Sequence, residues 1–241
     1  MGPSASRGPP ASGPTVVMDA LALVQSIPGW LRSEDANKLY ELAGATRGPI
    51  LEVGTYRGKS TVIMAAASQA SQRPTTIYTL DVDRRSIDAA VVEAKSRGLA
   101  DRIVFIRGTL TAFARAYPHL RPTLTFVDGD HSWRGVQHDL AVLDAIVPAG
   151  GQLLFHDFND PRNEDPSCAE VKVRPAVQDS WVARECDFEG AFGVCGLFRR
   201  REAPRRSPVG QADLLPLASI REQYLHRVRY PAGRMWRRMR G

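Results

Sequence analysis

The fold turns on residues 49–70, PILEVGTYRGKSTVIMAAASQA. An apolar run over 50–53 stops at Gly54, a second glycine follows at position 58, and the rest reads as a helix. Glycine lets the backbone turn tightly and come close to whatever lies above it. The helix after such a loop opens with N–H groups that no earlier turn can satisfy. The same unit repeats downstream. TIYTLDVD (76–83) precedes the helical SIDAAVVEAKSRG, and RIVFIRG (102–108) precedes TAFARAY. TLTFVDGD (123–130) precedes GVQHDLAVLDAIV, GQLLFHDF (151–158) precedes KVRPAVQDSWV, and FGVCGLFRR (192–200) closes the series. Upstream, residues 17–45 read as helical in two pieces, with Ser33 as N-cap ahead of Glu34 and Asp35.

Short apolar runs alternating with helices predict right-handed βαβ units. The fold class expected is α/β: a doubly wound, mostly parallel seven-stranded sheet of Rossmann-like type with helices on both faces. Ligands of such sheets bind outside the carboxyl ends of the strands. Those ends carry the unusual residues: Glu52 and Gly54, Asp81 and Asp83, Gly108, Asp128 and Asp130, His156 and Asp157. Apolar runs that end repeatedly in acids make a poor core and read better as a site.

Composition supports one folded domain. Of 241 residues, 43% are hydrophobic and 24% charged, which excludes a disordered chain, a collagen and a coiled coil. No stretch reaches the roughly 18 apolar residues of a spanning helix. Residues 1–14, rich in Pro, Gly and Ser, read as a flexible leader without a signal peptide. The domain is expected over 15–200 and a basic linker and arm over 201–241. Three widely spaced cysteines, Cys168, Cys186 and Cys195, with no CxxC, argue against a disulfide scaffold or a zinc site and for a cytoplasmic location. From Arg199 onward, 12 arginines face Glu202, Asp213 and Glu222, so this segment is +9 within a net charge of +6 and the body is −3. Any nucleic-acid or membrane argument concerns the arm.

The loop is not GxGxxG, and its glycines sit one residue too close for a phosphate-binding P-loop, although Gly58-Lys59-Ser60 imitates the end of one. Asp81, 29 residues after Glu52, can accept from both hydroxyls of a ribose or cap the next helix. Asp128, His156 and Asp157 fall on strand ends that become neighbours if their runs pair. They then bind a divalent cation or form a polar network without one. His131 faces the same cleft, as a general base or as a structural histidine. His119 and His138 read as a loop residue and a helix-surface residue.

The series LEVGTYRGKS, TLDVD, IRGTL, FVDGDHSW and PAGGQLLFHDF, in that order, resembles the class I S-adenosylmethionine-dependent methyltransferases. It is most similar to small-molecule O-methyltransferases with a DGDHSY-like motif, relatives of catechol-type and sugar enzymes, over roughly residues 45–200. The resemblance implies that Glu52, Gly54, Thr55, Tyr56, Gly58 and Ser60 form the methionine end of the cofactor site, with Asp128 at its edge. It implies Asp81 on the ribose, Val82 beside the adenine, and Gly108 and Thr109 at the edge of the adenine pocket. In catechol-type relatives the positions of Asp128, His156 and Asp157 hold magnesium. The usual Asp-Asp or Asp-Asn pair is His-Asp here, a softer set that puts magnesium itself in doubt. The relatives' catalytic lysine falls at His131. The candidate catalytic residues are therefore His131 and Asp128.

The expected activity is methyl transfer to a hydroxyl of a sugar, phenol or polyketide-type metabolite. A non-catalytic methyltransferase-like domain, an RNA methyltransferase and a dehydrogenase are the alternatives. The arm, where Leu225, Val228, Met235, Trp236 and Met239 interleave with arginines, reads as a solvated arm or subunit contact, including a homodimer, or as a segment peripheral to an anionic membrane. Nucleic acid is the weaker partner, because the basic charge lies outside the domain that would hold a base.

Overall fold

The computed structural model describes residue 20 and residues 22–202. Seven strands form one sheet: β1 (Ile50–Val53), β2 (Ile77–Asp81), β3 (Ile103–Arg107), β4 (Leu124–Val127), β5 (Gln152–Phe155), β6 (Cys186–Phe192) and β7 (Cys195–Arg200). Their spatial order is β3-β2-β1-β4-β5-β7-β6. The first five are parallel and β7 runs antiparallel to both β5 and β6. The helices are α1 (Ser33–Ala45), α2 (Lys59–Ala70), α3 (Arg84–Ser96), α4 (Leu110–Ala116), α5 (Trp133–Ile146), α6 (Val173–Gln178) and α7 (Trp181–Glu185). None of the described helices is long and apolar enough to cross a membrane.

The central strands are apolar because both faces are covered. All four residues of β1 and of β4 are buried. One core, around Ile63, Met64, Ile50 and Phe126, lies under α1 and α2. The other, around Leu140, Leu143, Phe155 and Trp181, lies under α4 to α7. The chain leaves β1 outward through β2 and β3, then returns to β4 on the other side of β1. That reversal opens a crevice at the carboxyl ends of β1 and β4, where the register pairs Val53 with Val127.

Four local expectations are corrected. Of the predicted helix ending at Trp30, the described part holds only a 3-10 turn at Ala22–Val24, and Pro28-Gly29 with irregular backbone follows. Arg32, not Ser33, is the N-cap of α1; its N–H donates to Asp35 Oδ2 at 3.0 Å, and Ser33 is already helical. The helix expected over 172–182 is two, broken where the Ser180 hydroxyl caps α7 through the Val182 N–H. The terminal run is a hairpin rather than one strand; its edge strand β6 is largely exposed. The leader lies outside the described residues, as does the arm apart from Arg201 and Glu202.

Candidate active site

Backbone bonds carry the ladder one residue past each strand and so place the site. The Gly54 N–H reaches Leu80 O at 2.9 Å, and the Asp128 N–H reaches Val53 O at 2.8 Å. The His156 N–H reaches Val127 O at 3.0 Å, and the Gly108 N–H reaches Asp81 O at 2.9 Å. The sequence-predicted residues are thereby gathered along one sheet edge.

The 54–60 loop is held from beneath. Glu52 is fully buried and accepts from Ser60 Oγ at 2.5 Å, Thr79 Oγ1 at 2.5 Å and Thr61 Oγ1. Burial pushes its carboxyl up to about 7, against the pull of those hydroxyls. Thr55 is bonded to Thr79 as well. Glu52 and Thr55 therefore tie the loop and the start of α2 to β2. Gly54 has φ +99°, and a Cβ there would sit 2.1 Å from the Asp128 carbonyl oxygen. Gly58 has φ +81°, and the Ala90 methyl of α3 fills the space beside it, 2.8 Å from where a Cβ would stand. Between them Tyr56 takes φ +46°, an unusual value for a bulky residue. Its N–H donates to Asp81 Oδ2 at 2.9 Å, and the Asp83 N–H donates to Asp81 Oδ1 at 2.9 Å. Asp83, not Asp81, is the N-cap of α3. Asp81 thus stands at the strand end as loop holder and ribose candidate. Val82 follows it, half-buried. Thr109 caps α4, with its hydroxyl accepting from the Ala112 N–H.

The second half of the site is a knot of acids and imidazoles. His131 Nε2 lies 2.9 Å from Asp128 Oδ1, and His131 Nδ1 lies 3.7 Å from Asp157 Oδ2. His156 Nδ1 is 3.1 Å from Asp128 Oδ1 and 3.4 Å from Asp157 Oδ1. Asp128, His156 and Asp157 converge as expected, but Asp157 also meets Arg162 Nη2 at 3.3 Å, a partner the sequence reading did not name. On Asp128, His131 and His156 burial opposes charge, and the pairing outweighs it. Asp128 is held well below the usual carboxylate range by the two imidazoles. His131 is raised by Asp128 and Asp157. His156 is raised to about 9 by Asp128, Asp157 and, more weakly, Asp35.

Magnesium asks for a near-octahedral set of oxygens. Here one carboxylate is shared by two imidazoles and the other is paired with a guanidinium. The atoms gathered within metal-ligating reach are those of Asp128, His131 and His156, a set that suits a borderline metal rather than magnesium.

The segment after Asp157 is braced. The Asn163 side-chain amide donates to Asp157 O at 2.7 Å and Asp160 O at 2.8 Å, Arg162 grips Asp160, and the Lys172 N–H bonds to His131 O at 2.8 Å. Such wiring fits a fixed wall better than a swinging lid. His138 is buried beside Thr111 Oγ1, 3.4 Å away, rather than on a helix surface, and His119 is in an exposed turn. Trp30, 55% exposed and stacked on Tyr56 at 5.8 Å, was not singled out by the sequence.

With the geometry in hand, comparisons with known proteins add the class. Residues 51–158 match the family model described as a methyltransferase domain. Cofactor-bound Rv0187 from MTB is 20% identical over 76% of this chain and 88% of its own, with a TM-score of 0.62. The O-methyltransferase of Bacillus cereus, solved in complex with SAH, is 15% identical over 76% and 90%, with a TM-score of 0.59. The O-methyltransferase TomG of Streptomyces achromogenes, involved in tomaymycin synthesis and solved with SAM, is 16% identical over 78% and 92%, with a TM-score of 0.59. The similar structures share the Rossmann-like fold, and the matched stretch resembles a methyltransferase domain. The stretch contains the glycine loop, Asp81, Asp128, His131, His156 and Asp157.

Proposed function

We propose that the protein is an S-adenosylmethionine-dependent O-methyltransferase acting on a small hydroxyl-bearing metabolite. The observation that carries this reading is the Asp128–His131 pair, 2.9 Å apart, on the strand end beside the Asp81-held loop. Asp81, with the 54–60 loop, Val82, Gly108 and Thr109, would hold the cofactor. A carboxylate offers about four acceptor positions, and an acid at the end of β2 is where such sheets meet a ribose. The similar structures that hold SAM or SAH support the choice of nucleoside.

Bound S-adenosylmethionine supplies a methyl group already activated as a sulfonium. What remains for the protein is to orient the acceptor and take its proton. An ionised Asp128 can only accept, so His131 Nε2 carries the hydrogen of their bond. That leaves Nδ1, beyond hydrogen-bond distance of Asp157, to receive the proton of the acceptor hydroxyl. The resulting imidazolium lies between two carboxylates that stabilise it. Asp128 is a positioning residue in this scheme, because it acts through His131.

The proposal needs no cation at Asp128, His156 and Asp157: His131 takes the proton, Asp157 is paired with Arg162, and magnesium would not be required. Calorimetric titration with S-adenosylhomocysteine, with NAD as control, tests the cofactor. Micromolar binding of the first and none of the second is expected. A methyl-transfer screen over sugars, phenols and polyketides, with magnesium or a chelator, then tests the acceptor class. Binding without turnover on any hydroxyl would refute O-methylation in favour of a non-catalytic domain.

A further inference from the structure

We propose that Asp35, His156 and Cys195 form a structural zinc site inside the domain, behind the catalytic cluster. The three come from distant parts of the chain. Asp35 is in the first turn of α1, His156 follows β5, and Cys195 opens β7. The antiparallel register sets Phe155 opposite Gly196, which brings His156 beside Cys195. Each residue is buried and offers one donor atom, and the three atoms lie within 4.8 Å of one another.

The independent observation is His156 itself. It is 5% exposed, its Nδ1 is paired with Asp128 Oδ1 at 3.1 Å, and its buried Nε2 has no hydrogen-bond partner. Buried polar atoms without partners are costly and rare, and each asks for an explanation. Nδ1 lies toward Asp128 and Asp157, so Nε2 is the nitrogen left for a metal. An imidazole that binds metal through one nitrogen and turns the other N–H to a carboxylate is the usual arrangement at zinc. Asp35 is already pinned in place. Its Oδ1 accepts from the Val194 N–H at 2.8 Å and its Oδ2 from the Arg32 N–H at 3.0 Å. A Cβ on Gly193 would come within 2.3 Å of Asp35 Oδ1, so the hairpin turn is built around that carboxylate.

Thiolate, imidazole and carboxylate together select zinc over magnesium or calcium. Zinc bonds of about 2.0–2.3 Å put tetrahedral ligands about 3.5 Å apart, so the three donors need draw in by only about an ångström. Asp35 and a Cys195 thiolate would balance the ion's charge. So deep a site would fill as the chain folds. It would lock α1 and the β6–β7 hairpin to the strand end that carries His156. The methyl-transfer reading is not needed for it.

The test is metal content together with the spectrum of protein produced in zinc-depleted medium supplemented with cobalt. One metal per chain is expected, with thiolate-to-cobalt charge-transfer absorption in the near ultraviolet. The band should vanish in Cys195→Ser and persist in Cys186→Ser, Asp128→Asn and His131→Ala. Asp35→Asn should lose metal to a chelator at least tenfold faster. Metal-free protein from zinc-replete cells would overturn the proposal, as would a cobalt form without the band. Metal kept in Cys195→Ser but lost in His131→Ala would place it in the outer cluster and overturn it too. If the variants fail to fold, the band in the unaltered protein decides. S-adenosylhomocysteine titration of the same samples reads the methyltransferase assignment separately.

Discussion

Replacing Asp81 by asparagine keeps the volume of the side chain and removes its charge. The carboxylate takes the Tyr56 N–H on one oxygen and the Asp83 N–H on the other, each at 2.9 Å. Asparagine offers one oxygen and one NH2, so one backbone N–H must face a donor. Hydrogen bonds to a charged group contribute about 1.5–3 kcal/mol each, so losing one such bond to a ribose hydroxyl weakens binding by roughly 10- to 150-fold. Calorimetry with S-adenosylhomocysteine reads that number directly. A second ligand separates loop damage from ribose recognition: the 2′-deoxy analogue should bind the unaltered protein about tenfold more weakly, while Asp81→Asn should bind both ligands alike. A variant whose dissociation constant stays within about twofold would refute the ribose assignment. Equal weakening of both ligands, with the tenfold preference intact, would show that Asp81 acts only by holding the Tyr56 loop.

Gly54→Ala forces a Cβ to 2.1 Å from the Asp128 carbonyl oxygen at φ +99°. Strained backbone alone costs about 1–3 kcal/mol, so a marked drop in the urea midpoint and loss of cofactor binding are expected; near-native stability would show that the strand ends can part. Glu52→Gln tests burial of an acid whose pKa is raised from 4.5 to about 7. Between those values the folded state holds a proton that the unfolded state has released, so stability falls as pH rises, by on the order of 3 kcal/mol in all. Gln should abolish that slope in urea titrations across the window, and an unchanged slope would contradict it. His131→Ala should lower kcat by about 10²–10⁴-fold with S-adenosylhomocysteine binding retained. Because its neighbours raise the His131 pKa, the active base form appears only above the ordinary imidazole range, and the ascending limb of the pH–rate profile should lie there; unchanged turnover in His131→Ala would remove it as the base.

The parallel sheet was legible because strands buried on both faces read as unbroken apolar runs, as over Ile50–Val53 and Leu124–Val127. The strand-end acids were legible because the runs of β1, β2, β4 and β5 each carry one at or just past their end. Edge strand β6 was not, since a strand with a largely solvated face carries Asp187, Glu189 and Gly190 where a buried one would be apolar. The stretch before α1 misled because its apolar residues, Val24 and Ile27, pack through a 3-10 turn rather than a helix. Contacts set by tertiary structure left no local trace. The Val194 N–H meets Asp35 across 159 residues, and the pairing of Arg162 with Asp157 depends on how an irregular segment folds back.

Asp128 shows why these parts form one site rather than adjacent features. Its N–H is fixed on β1 through Val53, and its carbonyl lies where only a glycine at 54 leaves room. Its carboxylate faces both His131 and His156. Backbone and side chain of one residue therefore set the spacing between the loop assigned to the cofactor and the base assigned to the acceptor. An in-line transfer depends on that spacing, and a misplacement of about 1 Å costs on the order of a hundredfold in rate. Asp128→Asn should lower turnover more than it lowers cofactor affinity, because the amide keeps the backbone contacts to β1 and loses the charge that orients His131. If affinity fell as far as turnover, the side chain would belong to the cofactor site, and His131 would need another residue to position it.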